Sequence, residues 1–173
     1  MLLNRWSLFI AVVTAIAFGE QEKKVESNFY THNIGAGAGV STGLGLSYRH
    51  WFPNTWGVQV NLIPIVNNTS GSRDIFTSFG LTGLKILKQA RMVSLFGYTG
   101  GHWMYQKNTY PDNGVGGSVD TKISTVYLGF GPGIDIHFWK LSFNIMAGIA
   151  GRYVDSTNWG IQMSGETALY YTF

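Results

Sequence analysis

Three residues of this sequence could form the catalytic site of a hydrolase. A hydrolase needs a nucleophile, a base that accepts the proton of the nucleophile, and an acid that orients the base. Asp155 and Ser156 are adjacent in a polar stretch, and we expect His102 near the same rim of the fold. Because Ser, Asp and His occur together near most rims by chance, the grouping supports an enzyme only as an alternative hypothesis.

Metal chemistry has less support in the sequence. The chain contains no cysteine, which excludes disulfides and thiolate metal sites. None of its four histidines has the spacing of a local zinc or copper site, and they fall on four different segments: His32, His50, His102 and His137. We therefore predict no metal and no cofactor, and we expect these histidines to be packed or interfacial.

Two glycine-rich runs, residues 35–39 and 129–133, are superficially similar to phosphate-binding loops. A nucleotide-binding loop leads from a strand into a helix N-terminus, and no helix is predicted after either run. Glycine inside a strand instead permits a bend or a close approach of large neighbours. These runs are therefore interpreted as parts of strands.

The composition is that of a membrane protein without membrane helices. Only 12% of the 173 residues are charged, against about 25% in a typical soluble domain. Mean hydropathy is nevertheless only +0.07, and no segment after the N-terminal leader approaches the ~18 apolar residues of a membrane helix. This combination is typical of a β-barrel, in which lipid-facing apolar and lumen-facing polar residues alternate. The basic residues form no cluster of the kind that binds nucleic acid, so no nucleic-acid partner is expected.

The N-terminus has the pattern of an export signal. Arg5 precedes an apolar run over residues 6–18, and Ala17-Phe18-Gly19 has the small-x-small pattern of a cleavage site. Residues 1–19 are predicted to be a signal peptide, followed by a periplasmic lead over residues 20–27 and a barrel over residues 28–173. An uncleaved anchor helix is the alternative, although the run is short for a membrane span.

Eight segments of strand-like character follow, separated by turn residues. They cover residues 28–40, 43–52, 55–66, 73–88, 91–106, 120–138, 141–154 and 159–173. Alternation of apolar and polar residues is clear in the second, third, seventh and eighth segments. Segments four to six have apolar residues at both parities, so their orientation is left open.

The connections between these segments differ in length in a regular way. An even number of strands places both termini at one side, and the connections at 53–54, 89–90 and 139–140 on that side are tight. Those at 67–72, 107–119 and 155–158 on the opposite side are longer, as is usual for the outer loops of a bacterial barrel, and only the first connection on that side, near 41–43, is short. The predicted fold is an all-β, eight-stranded antiparallel up-and-down transmembrane β-barrel. A soluble β-sandwich is the alternative, but it would need polar outer faces that these strands lack.

Four charged residues have the parity of the barrel interior: Arg49, Asp135, Arg152 and Glu166. A barrel of eight strands is only wide enough for side chains to fill it, so inward charges must be paired. Arg49 and Asp135 each lie four residues before a tight turn, and Glu166 is the other candidate partner of Arg49. We interpret the set as a structural polar plug. A gated pore or a buried catalytic pair is the functional alternative.

The last strand, residues 165–173, ends in an aromatic residue and has apolar residues at alternate positions. Together with residues 45–52 and 56–59, it resembles the small outer-membrane barrels of the OmpA/OmpX-like class over the whole mature chain. The resemblance implies an outer-membrane location in a diderm bacterium, and contact with outer-membrane lipid and lipopolysaccharide. It also implies recognition of Leu169, Tyr171 and Phe173 by the barrel assembly machinery.

The expected function is that of a non-enzymatic barrel that supports envelope integrity or presents loops to the outside. The loop at residues 107–119 is the expected contact surface for an external ligand. A lipid-modifying enzyme acting at the rim through His102, Asp155 and Ser156 is the alternative. A small conducting pore is a third hypothesis, disfavoured by the width of the lumen.

Overall fold

The computed structural model describes residues 32–53, 55–69, 72–90, 92–111, 118–154 and 158–173. The predicted signal peptide and periplasmic lead lie outside these residues. The chain forms eight strands, namely β1 (His32–Gly39), β2 (Gly43–Trp51), β3 (Trp56–Thr69), β4 (Ser72–Gln89), β5 (Val93–Pro111), β6 (Ser118–Phe138), β7 (Leu141–Val154) and β8 (Asn158–Thr172).

These strands form a closed barrel in which each strand pairs antiparallel with the next and β8 pairs with β1. The predicted eight-stranded up-and-down barrel is thereby confirmed. The first and last described residues meet at one end, where the Phe173 amide donates to the His32 carbonyl at 3.0 Å. We call this the termini end, and we call the opposite end, which carries the β1–β2 turn at residues 40–42, the loop end.

The register of the sheet makes the strands tilt. A path that starts at Thr172 and steps through directly paired residues returns to β8 at Gln162, ten residues earlier. In a closed sheet such a displacement requires strands inclined to the barrel axis. With eight strands, the resulting lumen is a space that side chains fill.

Many polar residues are buried inside the barrel and many apolar residues are exposed on its outer surface, which is the reverse of the arrangement in a soluble protein. Along the first half of β7, Ser142, Asn144 and Met146 are buried in the lumen while Leu141, Phe143 and Ile145 are exposed on the outer surface. Large exposed hydrophobic residues occur on every strand of the barrel. A soluble sheet would bury these residues, so the outer surface is suited to an apolar solvent.

An apolar layer inside the barrel settles the orientation of segments four and five, and in segment six the buried residues are Thr125, Gly129, Gly133 and Asp135. Towards the termini end the lumen holds a cluster of six buried residues: Trp51, Leu84, Ile86, Phe96, Tyr98 and Met146. Since β4 and β5 carry exposed apolar residues on the outer surface and contribute to this cluster on the inner side, both parities are apolar there. This is the physical reason that alternation in the sequence is blurred in this region.

The wall of the barrel is much higher on one side than on the other. β1 and β2 have 8 and 9 residues, whereas β4, β5 and β6 have 18, 19 and 21. The predicted loop at residues 107–119 is shorter than expected, because β5 continues to Pro111 and β6 begins at Ser118. Residues 112–117 of that loop lie outside the described residues.

Within the described part of the chain, no helix has the length and apolar character needed to cross a membrane.

Candidate functional site in the barrel lumen

A buried ion pair spans the lumen between two strands that are not neighbours. Arg49 on β2 donates from Nη1 to Asp135 Oδ2 on β6 at 2.9 Å, and the two side chains are only 1% and 2% exposed. The Ser142 hydroxyl donates to the other carboxylate oxygen of Asp135 at 2.5 Å. Both charges are therefore hydrogen-bonded as well as paired. Pairing and hydrogen bonds together offset the free-energy cost of removing two charges from water.

Gln59 connects this pair to the second buried carboxylate. Its Oε1 accepts from Nε and Nη2 of Arg49 at 3.1 and 2.7 Å, and its Nε2 donates to Glu166 Oε1 at 2.9 Å. Arg49 also lies over the ring of Tyr170, with 4.3 Å from Cζ to the ring centroid, a cation–π geometry. Arg49 and Glu166 thus belong to one network but interact through Gln59.

Arg152, the fourth residue predicted for the interior plug, lies apart from this network. It has the inward parity, opposite Tyr127 and Gly160, but it is exposed. The reason is its height in the wall, since β7 ends two residues later at Val154, where the lumen opens. The expectation of a buried Arg152 therefore does not hold.

His102, the candidate base of the hydrolase hypothesis, is buried inside the barrel. Its Nδ1–H donates to the Val40 carbonyl at 2.8 Å, and its Nε2 lies 2.9 Å from Ser78 Oγ. The ring also stacks on Tyr127. Both nitrogens are therefore engaged in bonds within the barrel, while Asp155 and Ser156 lie outside the described residues.

The β1–β2 turn folds into the lumen, which the sequence analysis did not predict. Ser41 and Thr42 are each only 1% exposed. Asn61 Nδ2 donates to the Thr42 carbonyl at 2.9 Å, and the hydroxyls of Ser41 and Ser164 are 2.8 Å apart. The turn is short and polar in the sequence, which is equally compatible with a solvent-exposed hairpin. The only sequence signal was the set of glycines on the strands opposite.

The outer surface carries an aromatic row near each end. Towards the loop end, Trp103, Tyr153 and Trp159 are exposed and joined through cross-strand pairing by way of Val126. Around the termini end, the exposed aromatic residues include Trp56, Phe138, Trp139, Tyr171 and Phe173. Leu169, Tyr171 and Phe173, the predicted assembly signal, are all exposed on the outer surface. Aromatic side chains of this kind are favoured where a membrane meets water.

Among the residues that the structure describes, no three His, Asp or Glu side chains lie close enough together to hold a metal ion. The charged groups of the lumen core are held by one another and by amide and hydroxyl groups. In chemical terms the network satisfies the buried charges of Arg49 and Asp135.

No protein-family model matches the chain, and no curated protein matches it. Two solved structures are similar to it. One is the N-terminal β-barrel domain of Pseudomonas aeruginosa OprF, with 11% identity and a TM-score of 0.45, covering 82% of this chain and 95% of that one. The other is Ail, the attachment invasion locus protein of Yersinia pestis, in complex with the heparin analogue sucrose octasulfate, with 16% identity and a TM-score of 0.44, covering 82% of this chain and 96% of that one.

Proposed function

We propose that the protein is a non-enzymatic outer-membrane barrel that supports the envelope and presents its loop end to the outside. The observation that carries this proposal is the reversed distribution of residue types, with polar groups such as Asn61 and Asn144 fully buried and residues such as Leu128 and Met163 exposed. Only an apolar solvent makes that arrangement favourable.

The orientation follows from the ends of the strands. At the termini end, strands follow one another after short gaps, as from Phe138 to Leu141. Short connections face the periplasm in bacterial barrels, so the loop end with the high wall of β4, β5 and β6 faces outward. The aromatic rows then lie at the two surfaces of the membrane, in contact with outer-membrane lipid and lipopolysaccharide. The exposed last strand is suited to recognition by the barrel assembly machinery.

The outer end of β5 and β6 is the proposed contact surface for an external ligand. Here Lys107 pairs with Asp120 at 2.8 Å, beyond the aromatic row, and Thr109 also donates to Asp120 at 2.8 Å. These hydrogen bonds, that from Lys107 above all, lower the pKa of the Asp120 carboxyl below its ordinary value. A charged and ordered strand end of this kind suits a polar partner.

A lipid-modifying enzyme remains the alternative, and lipid A tests it directly. We expect the mass spectrum of lipid A to be the same in cells with and without overproduced protein, because His102 is committed to Val40 and Ser78. Cells producing His102→Ala serve as the control. A defined mass change that disappears in the control would establish the enzyme and refute the proposal.

A charge placed on the outer surface tests the membrane contact. We expect Ile149→Arg to lower the free energy of unfolding by about 2–4 kcal/mol, because Ile149 lies between the two aromatic rows and would carry the charge into hydrocarbon. Trp159→Arg, at the loop-end row, should cost about 0–1 kcal/mol. Urea titrations of both variants in lipid vesicles give the comparison, and equal costs would contradict it.

A further inference from the structure

The strands that face the β1–β2 turn have glycine at the positions closest to it. Three glycines on β4, β5 and β6, Gly80, Gly100 and Gly129, face the turn across the lumen. A Cβ at Gly129 would lie 2.6 Å from that of Ser41, and one at Gly100 would lie 3.0 Å from the Ser41 carbonyl oxygen. At Gly80 a Cβ would collide with the Thr42 carbonyl. The turn thus occupies a seat that larger residues on these strands would abolish.

Hydrogen bonds to several strands hold the turn in this seat. On β8, Ser164 bonds to Ser41, and the Gly165 carbonyl accepts from the Val40 amide at 3.3 Å. Asn61 on β3 and His102 on β5 bond to the turn from the other sides. Because these contacts are polar, a displaced turn would exchange each of them for a hydrogen bond to water and would expose no hydrophobic core.

Next to the turn, the described part of the lumen contains a buried carboxyl group without an ion pair, that of Glu166. Glu166 is 6% exposed, and its Oε2 has no hydrogen-bond partner among the described residues. The same holds for Thr42 Oγ1, and both oxygens border Gly39. Among the buried charges of the described lumen, Arg49 forms its ion pair with Asp135, which leaves Glu166 without a cation of its own.

Below this level the lumen is closed by a different layer. Arg49 lies over Trp51 and Phe96, each at 5.8 Å from its Cζ, and these rings pack with Met146 in the apolar cluster. Lifting the turn would therefore open a pocket towards the loop end only. It would not open a passage through the barrel.

From this geometry we propose that the β1–β2 turn is a plug seated over a pocket that opens to the loop end and accepts small organic cations at Glu166. The glycines form the seat of the plug, and the Asn61 and His102 side chains are its latches. The pocket ends at the layer formed by Arg49 and Phe96. The proposal does not depend on whether the protein presents loops or modifies lipid.

A single cysteine at Ser164, whose side chain contacts Ser41 of the turn, reports whether the plug is seated, since the chain has no other cysteine. The protein is folded into lipid vesicles, and the thiol is exposed to methanethiosulfonate reagents that carry either a trimethylammonium or a sulfonate group. With the turn in place, the Ser164→Cys thiol should react slowly with both reagents. Adding Gly100→Val should raise the rate at least tenfold, with the cationic reagent reacting several-fold faster than the anionic one. Adding Glu166→Gln should remove that preference.

The control for Gly100→Val is Gly97→Val on the same strand, where a Cβ meets only Leu87, at 4.0 Å. Gly97→Val should leave the labelling rate unchanged, and no variant should release a small dye trapped in the vesicles. A fast rate without Gly100→Val, an equal rise in both variants, equal rates for the two reagents, or release of the dye would each overturn the proposal.

A second measurement does not depend on the folding of Gly100→Val. The hydroxyls of Ser41 and Ser164 are 2.8 Å apart, so cysteines at both positions should form a disulfide when copper phenanthroline accepts the two electrons. The mass of the Ser41→Cys/Ser164→Cys protein should fall by the two hydrogens lost, with high yield. Failure of this pair to form a disulfide in folded protein would show that the turn is not seated in the lumen.

Discussion

Replacing Asp135 with alanine is expected to lower the free energy of unfolding by about 3–5 kcal/mol. The variant leaves Arg49 buried at 1% exposure without the carboxylate that lies 2.9 Å from it. The cost arises mainly from the buried guanidinium, because Arg49 keeps its hydrogen bonds to Gln59 but loses the opposite charge that offsets its removal from water. Urea unfolding in lipid vesicles, followed by tryptophan fluorescence, measures this change. Solute flux through the barrel should not change.

Asp120→Ala is the matched control for this experiment. Asp120 also forms an ion pair at 2.8 Å, with Lys107, but both side chains are accessible to water. Exposed pairs contribute little to stability, so the unfolding curve of Asp120→Ala should lie close to that of the unchanged protein. Equal stability of Asp135→Ala and Asp120→Ala would contradict the role of Arg49 and Asp135 as a buried ion pair that stabilises the barrel.

Phe96→Ala is expected to cost about 3–5 kcal/mol, the usual range for removing a large aromatic ring from a packed core. Phe96 is 0% exposed and packs in the apolar cluster between Trp51 and Met146. Lipid cannot enter the closed lumen, so the truncated side chain leaves a cavity. The same urea titration in vesicles measures the effect.

The control is Phe130→Ala on the neighbouring strand β6, where the ring is 64% exposed on the outer surface. Lipid tails are as apolar as the side chain that they would replace, so the loss there should be clearly smaller. If Phe130→Ala destabilised the protein as much as Phe96→Ala, the outer surface would be a packed protein interface, and the assignment of inside and outside would be wrong.

Sequence reasoning was sufficient for the strand number and for the direction of most side chains. Turn residues separate the strands, and alternation along β7 and β8 directly gives the face of each residue. Arg49 and Asp135 lie at equal distances from tight turns, and this spacing indicated that they could lie at the same level of the barrel. Their contact across the lumen depends on the tilt of the strands, which the sequence pattern does not contain.

The sequence was least informative about the inside of the barrel. In β4 and β5 the inward residues Leu84 and Phe96 are as apolar as their outward neighbours, so periodicity could not separate the two faces. The inward fold of the β1–β2 turn depends on small residues on three distant strands, a relation visible only after the barrel closes. Arg152 has the parity of a buried residue but lies where the wall ends, and parity alone carries no information on height.

Oxygen accessibility along β7 shows whether the outer surface of this barrel lies in lipid. Nitroxide labels are attached to single cysteines at residues 142–149 of protein reconstituted in vesicles, and their collision rates with oxygen are compared with those for a water-soluble nickel complex. For a barrel in lipid we expect high oxygen accessibility at Phe143, Ile145 and Ile149, low accessibility at Ser142 and Asn144, and a period of two residues. High nickel accessibility at the outward positions, or the loss of that period, would contradict a membrane-spanning barrel.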